Sequence, residues 1–188
     1  MICAAEGCTT EFEPVTNIYH NLACEKGFHD NDEFDEQGKP TPRQLLAWAA
    51  LICSEWFEWR AENHPWYKSE EFHNFGKPEG MLAELADVCI RCYDAAGAMG
   101  QELPDMCKAA GDHMVWHALC LKLIEEARMG DTKAYCFTLT DMTSFCLSKS
   151  SMIVEEYDDD DMPKTIDEAI RLKHEFNMTR PHRHGKKA

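Results

Sequence analysis

The feature that most constrains this chain is an apolar period near 3.6 residues that recurs along almost its whole length. Strand signals are nearly absent: β-branched residues are sparse, and two-residue alternation is hard to find. The pattern predicts an all-α helical bundle with helices over about 14–26, 42–62, 78–100, 104–129, 132–153 and 163–180. Thr41 is placed to cap the second of these, with Pro42 in its first turn. Pro78 is expected to open the next helix and Gly100 to end it; Pro181 and Gly185 close the last. The segment Gly27–Thr41 is polar and Asp-rich and reads as a loop, as does 63–77 with His64, Pro65 and Gly76. The acidic run Glu155–Asp161 lacks the turn glycine and spaced ligands of a calcium loop, so a solvated linker is expected. Residues 1–13 read as a frayed arm, and the 188 residues as a single domain.

The helix over 42–62 carries the stripe Leu45, Trp48, Ala49, Ile52, Trp56 and Trp59, and the one over 78–100 the stripe Leu82, Leu85, Cys89, Cys92, Ala96 and Met99. Most of the ten cysteines fall inside such patterns. Cys89 and Cys92 form a CxxC spacing without a matching second pair, and Cys3 and Cys8 a looser one, so core packing is favoured over zinc. The start MICAAEGCTTEFE lacks a basic, apolar leader, and no apolar run reaches the roughly 18 residues needed to span a bilayer. Reduced thiols in a cytoplasmic protein are therefore expected. Acids outnumber Lys and Arg 34 to 19, a formal net charge of −15. That field argues against nonspecific nucleic acid and against an anionic membrane as partners.

Two acid pairs stand out. Glu55 and Glu58 are spaced i, i+3, and Glu84 and Asp87 repeat that spacing on the following helix. On a helical wheel Glu55 falls among Trp48, Leu51, Ile52 and Trp59, on the apolar side. Buried carboxylates without partners are costly, and several together repel one another. A divalent cation removes both problems, and oxygen-only ligation favours Mg²⁺ or Mn²⁺. The competing reading is surface acids paired with Arg60, Arg91 and lysines. The end of the chain tips the balance. From Arg171 the character turns basic, with Arg171, Lys173, His174, Arg180, His182, Arg183, His184, Lys186 and Lys187 against the single acid Glu175. Lys173, Asn177 and Arg180 share a helix face, which suits an anionic ligand such as a triphosphate.

A weak internal echo is also present. Ala50–Arg60 aligns without gaps on Ala118–Arg128, with Glu58 meeting Glu126, and Glu84–Asp87 can be laid on Thr138–Asp141. Amphipathic helices align with one another easily, and that reading is favoured over a decayed duplication.

The order of these elements resembles a known family. Ser54-Glu55-Trp56-Phe57-Glu58 followed by Glu84-Leu85-Ala86-Asp87 is similar to the EExxE…ExxD signature of the MazG-like, all-α nucleoside triphosphate pyrophosphohydrolases. KPEGMLAELADVCIRCYDAAGAMG (Lys77 to Gly100) is similar to the family's helix with the second acid pair. KHEFNMTRPHRHGKKA (Lys173 to Ala188) resembles the K-x-x-Y-N-x-x-R-P-x-x-H-G-x-K ending of its phage and bacterial members, and GFHDND (Gly27 to Asp32) the stretch before the first acid helix. The likeness covers about 14–103 and 165–188, leaving 104–164 as a helical insertion.

The resemblance implies hydrolysis of a (deoxy)nucleoside triphosphate to monophosphate and pyrophosphate by a Mg²⁺-dependent homodimer or higher oligomer. Carried over, Glu55, Glu58, Glu84 and Asp87 ligate the metal, Glu55 and Glu58 being counted as catalytic. Lys173, Asn177, Arg180 and Lys77 hold phosphates, and Phe28 and His29 meet the base. One departure is Ser54, where the family has the first acid of its EE doublet; a serine is no general base at neutral pH. Phe176 stands where Tyr is common. Core packing is favoured over base stacking for Trp56 and Trp59, and a catalytically impaired nucleotide- or metal-binding or interaction module is the alternative reading.

Overall fold

The computed structural model describes residues 15–69, 76–103, 116–157 and 159–181. It is an all-α bundle with one small ribbon. In chain order the elements are α1 (Val15–Glu25), α2 (Pro42–Ala61), β1 (Tyr67–Ser69), β2 (Lys77–Glu79), α3 (Met81–Ala98), α4 (Trp116–Met129), α5 (Thr132–Tyr157) and α6 (Ile166–Thr179). No helix among the described residues is long and apolar enough to cross a membrane. The frayed arm expected at 1–13, the start of the helix expected from 104, and the basic residues from His182 onward lie outside the described residues.

α2 begins as its sequence dictates. Thr41 Oγ1 accepts the Gln44 N–H at 3.2 Å, and Pro42 follows in the first turn, where its missing N–H costs nothing. α3 begins otherwise. Pro78 does not open it but lies in β2 opposite Lys68, in a ribbon that pairs Tyr67 with Glu79 and Ser69 with Lys77. Three-residue strands carry too little alternation to be read from sequence. The helix starts after Gly80, whose φ of +100° is open to glycine alone at low cost. A Cβ there would stand 2.8 Å from the His64 carbonyl oxygen. α5 runs to Tyr157 and takes Glu155 and Glu156 out of the expected linker. Glu is a good helix former, and both side chains are exposed, so nothing stops the helix there.

α3 is the axis of the molecule. It packs against α1, α2, α5 and α6, and twelve of its 18 residues are buried. α4 and α5 supply Leu119, Leu123, Leu139 and Met142 to the same core, all fully buried. Trp56 is sandwiched between Trp59 and Trp116, with ring centroids 4.2 and 4.3 Å away, and Trp66 is buried too. These tryptophans are packing residues. Cys89, Cys92 and Cys146 are buried free thiols, as the apolar stripes predict.

α1 comes very close to α3 at Gly97. A Cβ on Gly97 would sit 2.6 Å from both the Thr16 carbonyl oxygen and His20 Cβ. Gly97→Ala is expected to force the helices apart and lower stability by about 1–3 kcal/mol, the usual cost of overpacking, measured by urea denaturation.

Candidate functional site

The helices enclose a cleft of about 250 Å³. Its floor is a single stripe of α3: Glu84, Asp87, Arg91 and Asp94 all line it. Their spacing of three, four and three residues keeps them on one helix face. α2 contributes Glu55 and Glu58 from one wall. Tyr19 and Leu22 of α1, with Phe28 just beyond, form another, and Lys77 enters from β2. α6 brings His174, Asn177 and Arg180. The two acid pairs, separated by 25 residues in the chain, thus meet across α2 and α3.

Oxygens of Glu55, Glu58 and Glu84 lie within 4.8 Å of one another. Glu55 and Glu84 are buried, while Glu58 is exposed. Burial, ahead of repulsion from Asp87, Glu55 and Glu58, pushes Glu84 up to about 8, even with Lys173 opposing. Burial and then Asp87 raise Glu55 as well, with Arg91 partly compensating. Carboxylates held together at this energetic cost form a donor set that fits a hard dication.

The pairing that competes with a cation is also present in part. Arg91 Nε donates to Glu55 Oε1 at 3.1 Å. Lys173 is 2% exposed and stands 2.7 Å from Asp87 Oδ2 and 3.9 Å from Glu84 Oε1, while donating to the Pro78 carbonyl at 3.0 Å. Lys173 therefore does not line the cleft as a phosphate ligand. It is a buried counter-charge beneath the acids. Burial works against its charge, but Asp87 and then Glu84 outweigh that and hold its pKa up. Glu58 has no ion pair among the described residues.

The remaining candidates divide. Asn177 and Arg180 reach the cleft, and their side chains stand 3.5 Å apart. Lys77 reaches it too, paired with Glu79 at 2.6 Å. Phe28 lines it with the Arg91 guanidinium 5.5 Å from its ring centre, a cation–π pair. His29 does not face the cleft. Its Nδ1 meets Asp32 and its Nε2 lies 2.7 Å from Asp94 Oδ1, so both ring nitrogens are taken by carboxylates. Ser54 turns back on its own helix, donating to the Leu51 carbonyl at 2.7 Å.

The sequence reading missed Lys26, Tyr19 and the role of Arg91. Lys26 Nζ donates to the carbonyls of Met178 and Arg180 at 2.8 and 2.6 Å, where a cation suits a helix C-terminus. Arg91 was legible as the residue four after Asp87. His174 is less cationic than the basic run suggests, because burial lowers its pKa and leaves the ring neutral near pH 7.

Two groups give metal-free stability a pH dependence of one sign. Burial opposes the charge on His29, but Asp94 and Asp32 win and raise it to about 9 from 6.5. Glu84 stands at about 8 against 4.5. Both hold their protons more tightly folded than unfolded, so stability is lost as pH rises. With chelator present, the thermal midpoint is expected to fall from pH 5 toward pH 9. A midpoint that rises over this range would contradict both assignments.

No protein-family model matches the chain, and no curated protein or solved structure matches it.

Proposed function

We propose that this cleft hydrolyses (deoxy)nucleoside triphosphates to monophosphate and pyrophosphate with Mg²⁺, or Mn²⁺ in its place. The observation that carries the reading is the convergence of three carboxylates, one of them raised to about 8, in a cleft that Lys26, Lys77, Arg91 and Arg180 also line. Acids alone would repel a triphosphate, and bases alone would need no acid cluster. Together they suit an anion delivered with a cation.

Glu55, Glu58, Glu84 and Asp87 would hold the ion. When bound, it supplies Lewis acidity, drawing charge from phosphate oxygens and acidifying a water. The chain's own groups do the rest. Glu58, free of ion pairs among the described residues, accepts the proton of the attacking water. The water oxygen bonds to the α-phosphorus as the bond from that phosphorus to its β-bridging oxygen breaks. Pyrophosphate leaves with the electron pair, its charge met by Arg180 and Lys77. Asn177 donates its amide to a phosphate oxygen. Phe28 and Tyr19 are the aromatic rings that line the cleft and would meet the base.

The test is an incubation of the chain with each common and modified NTP and dNTP, with Mg²⁺ and with EDTA, followed by chromatography. Monophosphate plus pyrophosphate from a subset, abolished by EDTA, is the expected result. One observation favours a second reading, a binding module with impaired catalysis: Ser54, which stands where the family it resembles has an acid, turns its hydroxyl onto Leu51. Under that reading the nucleotides bind but none turns over. The free thiols fit a reducing, cytoplasmic setting. Exposed Leu121, Ile124, Met129 and Phe137 fit a self-associating surface, and light scattering is expected to return a homodimer or larger assembly.

A further inference from the structure

Beside the cleft is a second cluster with different donor chemistry. His20 and Cys24 stand one turn apart on α1, His29 follows in the turn beyond, and Asp94 faces them from α3. Asp94 is buried, and its Oδ1 is shared: His29 Nε2 lies 2.7 Å away and His20 Nδ1 3.1 Å. Cys24 Sγ is 3.5 Å from His20 Nε2 and 4.0 Å from Nδ1. Ligand atoms of His20, Cys24 and His29 all lie within 4.8 Å of one another. Two imidazoles and a thiol this close, with the Asp94 carboxylate bonded to both rings, offer N, S and O donors together.

The cluster has an outer layer that orients it. His29 Nδ1 is hydrogen-bonded to Asp32, whose other oxygen accepts the Gln44 amide at 2.8 Å. Gln44 is buried, and its own oxygen accepts the Glu33 N–H at 3.1 Å. This chain fixes the proton on Nδ1 and aims Nε2 at the centre of the cluster, as a carboxylate does behind a metal-bound histidine. Cys24 is exposed, so the site has an entry.

We propose that His20, Cys24, His29 and Asp94 bind a borderline dication such as Zn²⁺, a site separate from the acid cluster of the cleft. In the metal-free chain a proton bridges His29 Nε2 and Asp94 Oδ1; the cation replaces it, and the Cys24 thiol proton is released as well. Thiolate and imidazole select this ion over Mg²⁺, whereas the oxygen-only cleft has the opposite preference. Occupation ties α1 and the following turn to α3. It thereby fixes the wall that carries Phe28, which lies between Cys24 and His29 in the chain.

The test uses the full chain stripped with chelator and titrated with Co²⁺ without Mg²⁺. The expected result is a thiolate-to-cobalt charge-transfer band, bleached by Zn²⁺. Cys24→Ser, at an exposed position, loses the band while its circular dichroism is unchanged. Asp32→Asn weakens Co²⁺ binding by about 10–100-fold through the outer layer. Glu58→Gln keeps the band. In the unaltered chain Zn²⁺ slows alkylation of Cys24 at least about tenfold, and Mg²⁺ does not. Absence of the band, its survival in Cys24→Ser, its loss in Glu58→Gln, or alkylation of Cys24 indifferent to Zn²⁺ would each overturn the proposal.

Discussion

Glu58→Gln is expected to leave the chain folded and to cut turnover of its best nucleotide by about 10²–10⁴-fold, the usual worth of a positioned general base. The side chain is exposed and has no ion pair among the described residues, so its removal breaks nothing that holds the helices. Gln keeps the shape and removes both the charge and the proton acceptor. Urea midpoints within a few tenths of a molar of the parent, with kcat lost, are the predicted pair of readings. Activity retained within a factor of a few would take Glu58 out of the chemistry. A variant that also loses its fold would mean that Glu58 braces α2 against α3. Glu84→Gln in parallel is expected to lose activity too, yet to stabilise the metal-free chain at pH 9, where the buried and repelled carboxylate of the parent is charged.

Lys173→Met carries the largest expected effect on stability. The ammonium is 2% exposed and sits between Asp87 and Glu84, so its removal leaves two acids without their buried counter-charge. Breaking one side of such a buried pair costs about 3–5 kcal/mol. Met preserves most of the volume, which confines the loss to electrostatics. The discriminating measurement is the thermal midpoint with and without Mg²⁺. If the acids are metal ligands, Mg²⁺ at millimolar concentration is expected to restore more stability to Lys173→Met than to the parent. An equal gain in both would separate Lys173 from the cation site. Combining Lys173→Met with Glu84→Gln is expected to recover part of the loss, since the pair are coupled and their effects do not add.

What was legible in the sequence was what periodicity records. The helices α2, α3 and α6 stand within a few residues of their expected bounds. The acid pairs were found because i, i+3 spacing fixes a face, and Glu55 was marked by falling among apolar neighbours. What escaped depended on partners remote in the chain. Lys173 looked like a free cation on a basic face, and only the packing of α6 on α3 shows it buried against Asp87. His29 read as a base-contacting ring, but Asp94, 65 residues away, claims it. The β1–β2 ribbon is too short to carry a period, and Pro78 is as good a helix opener as it is an edge-strand residue.

The single stripe on α3 has a consequence for how such a protein can change over time. Glu84, Asp87, Arg91 and Asp94 are spaced along one rigid rod that the rest of the bundle grips. The rings that would judge a base, Tyr19 and Phe28, hang on α1 and the turn after it. If the cleft acts as proposed, mutation can retune which ligand is admitted by changing rings on α1 and the turn after it, while the charged groups on α3 keep their mutual spacing. Lineages descended from such a chain would diversify in selectivity first and in reaction last.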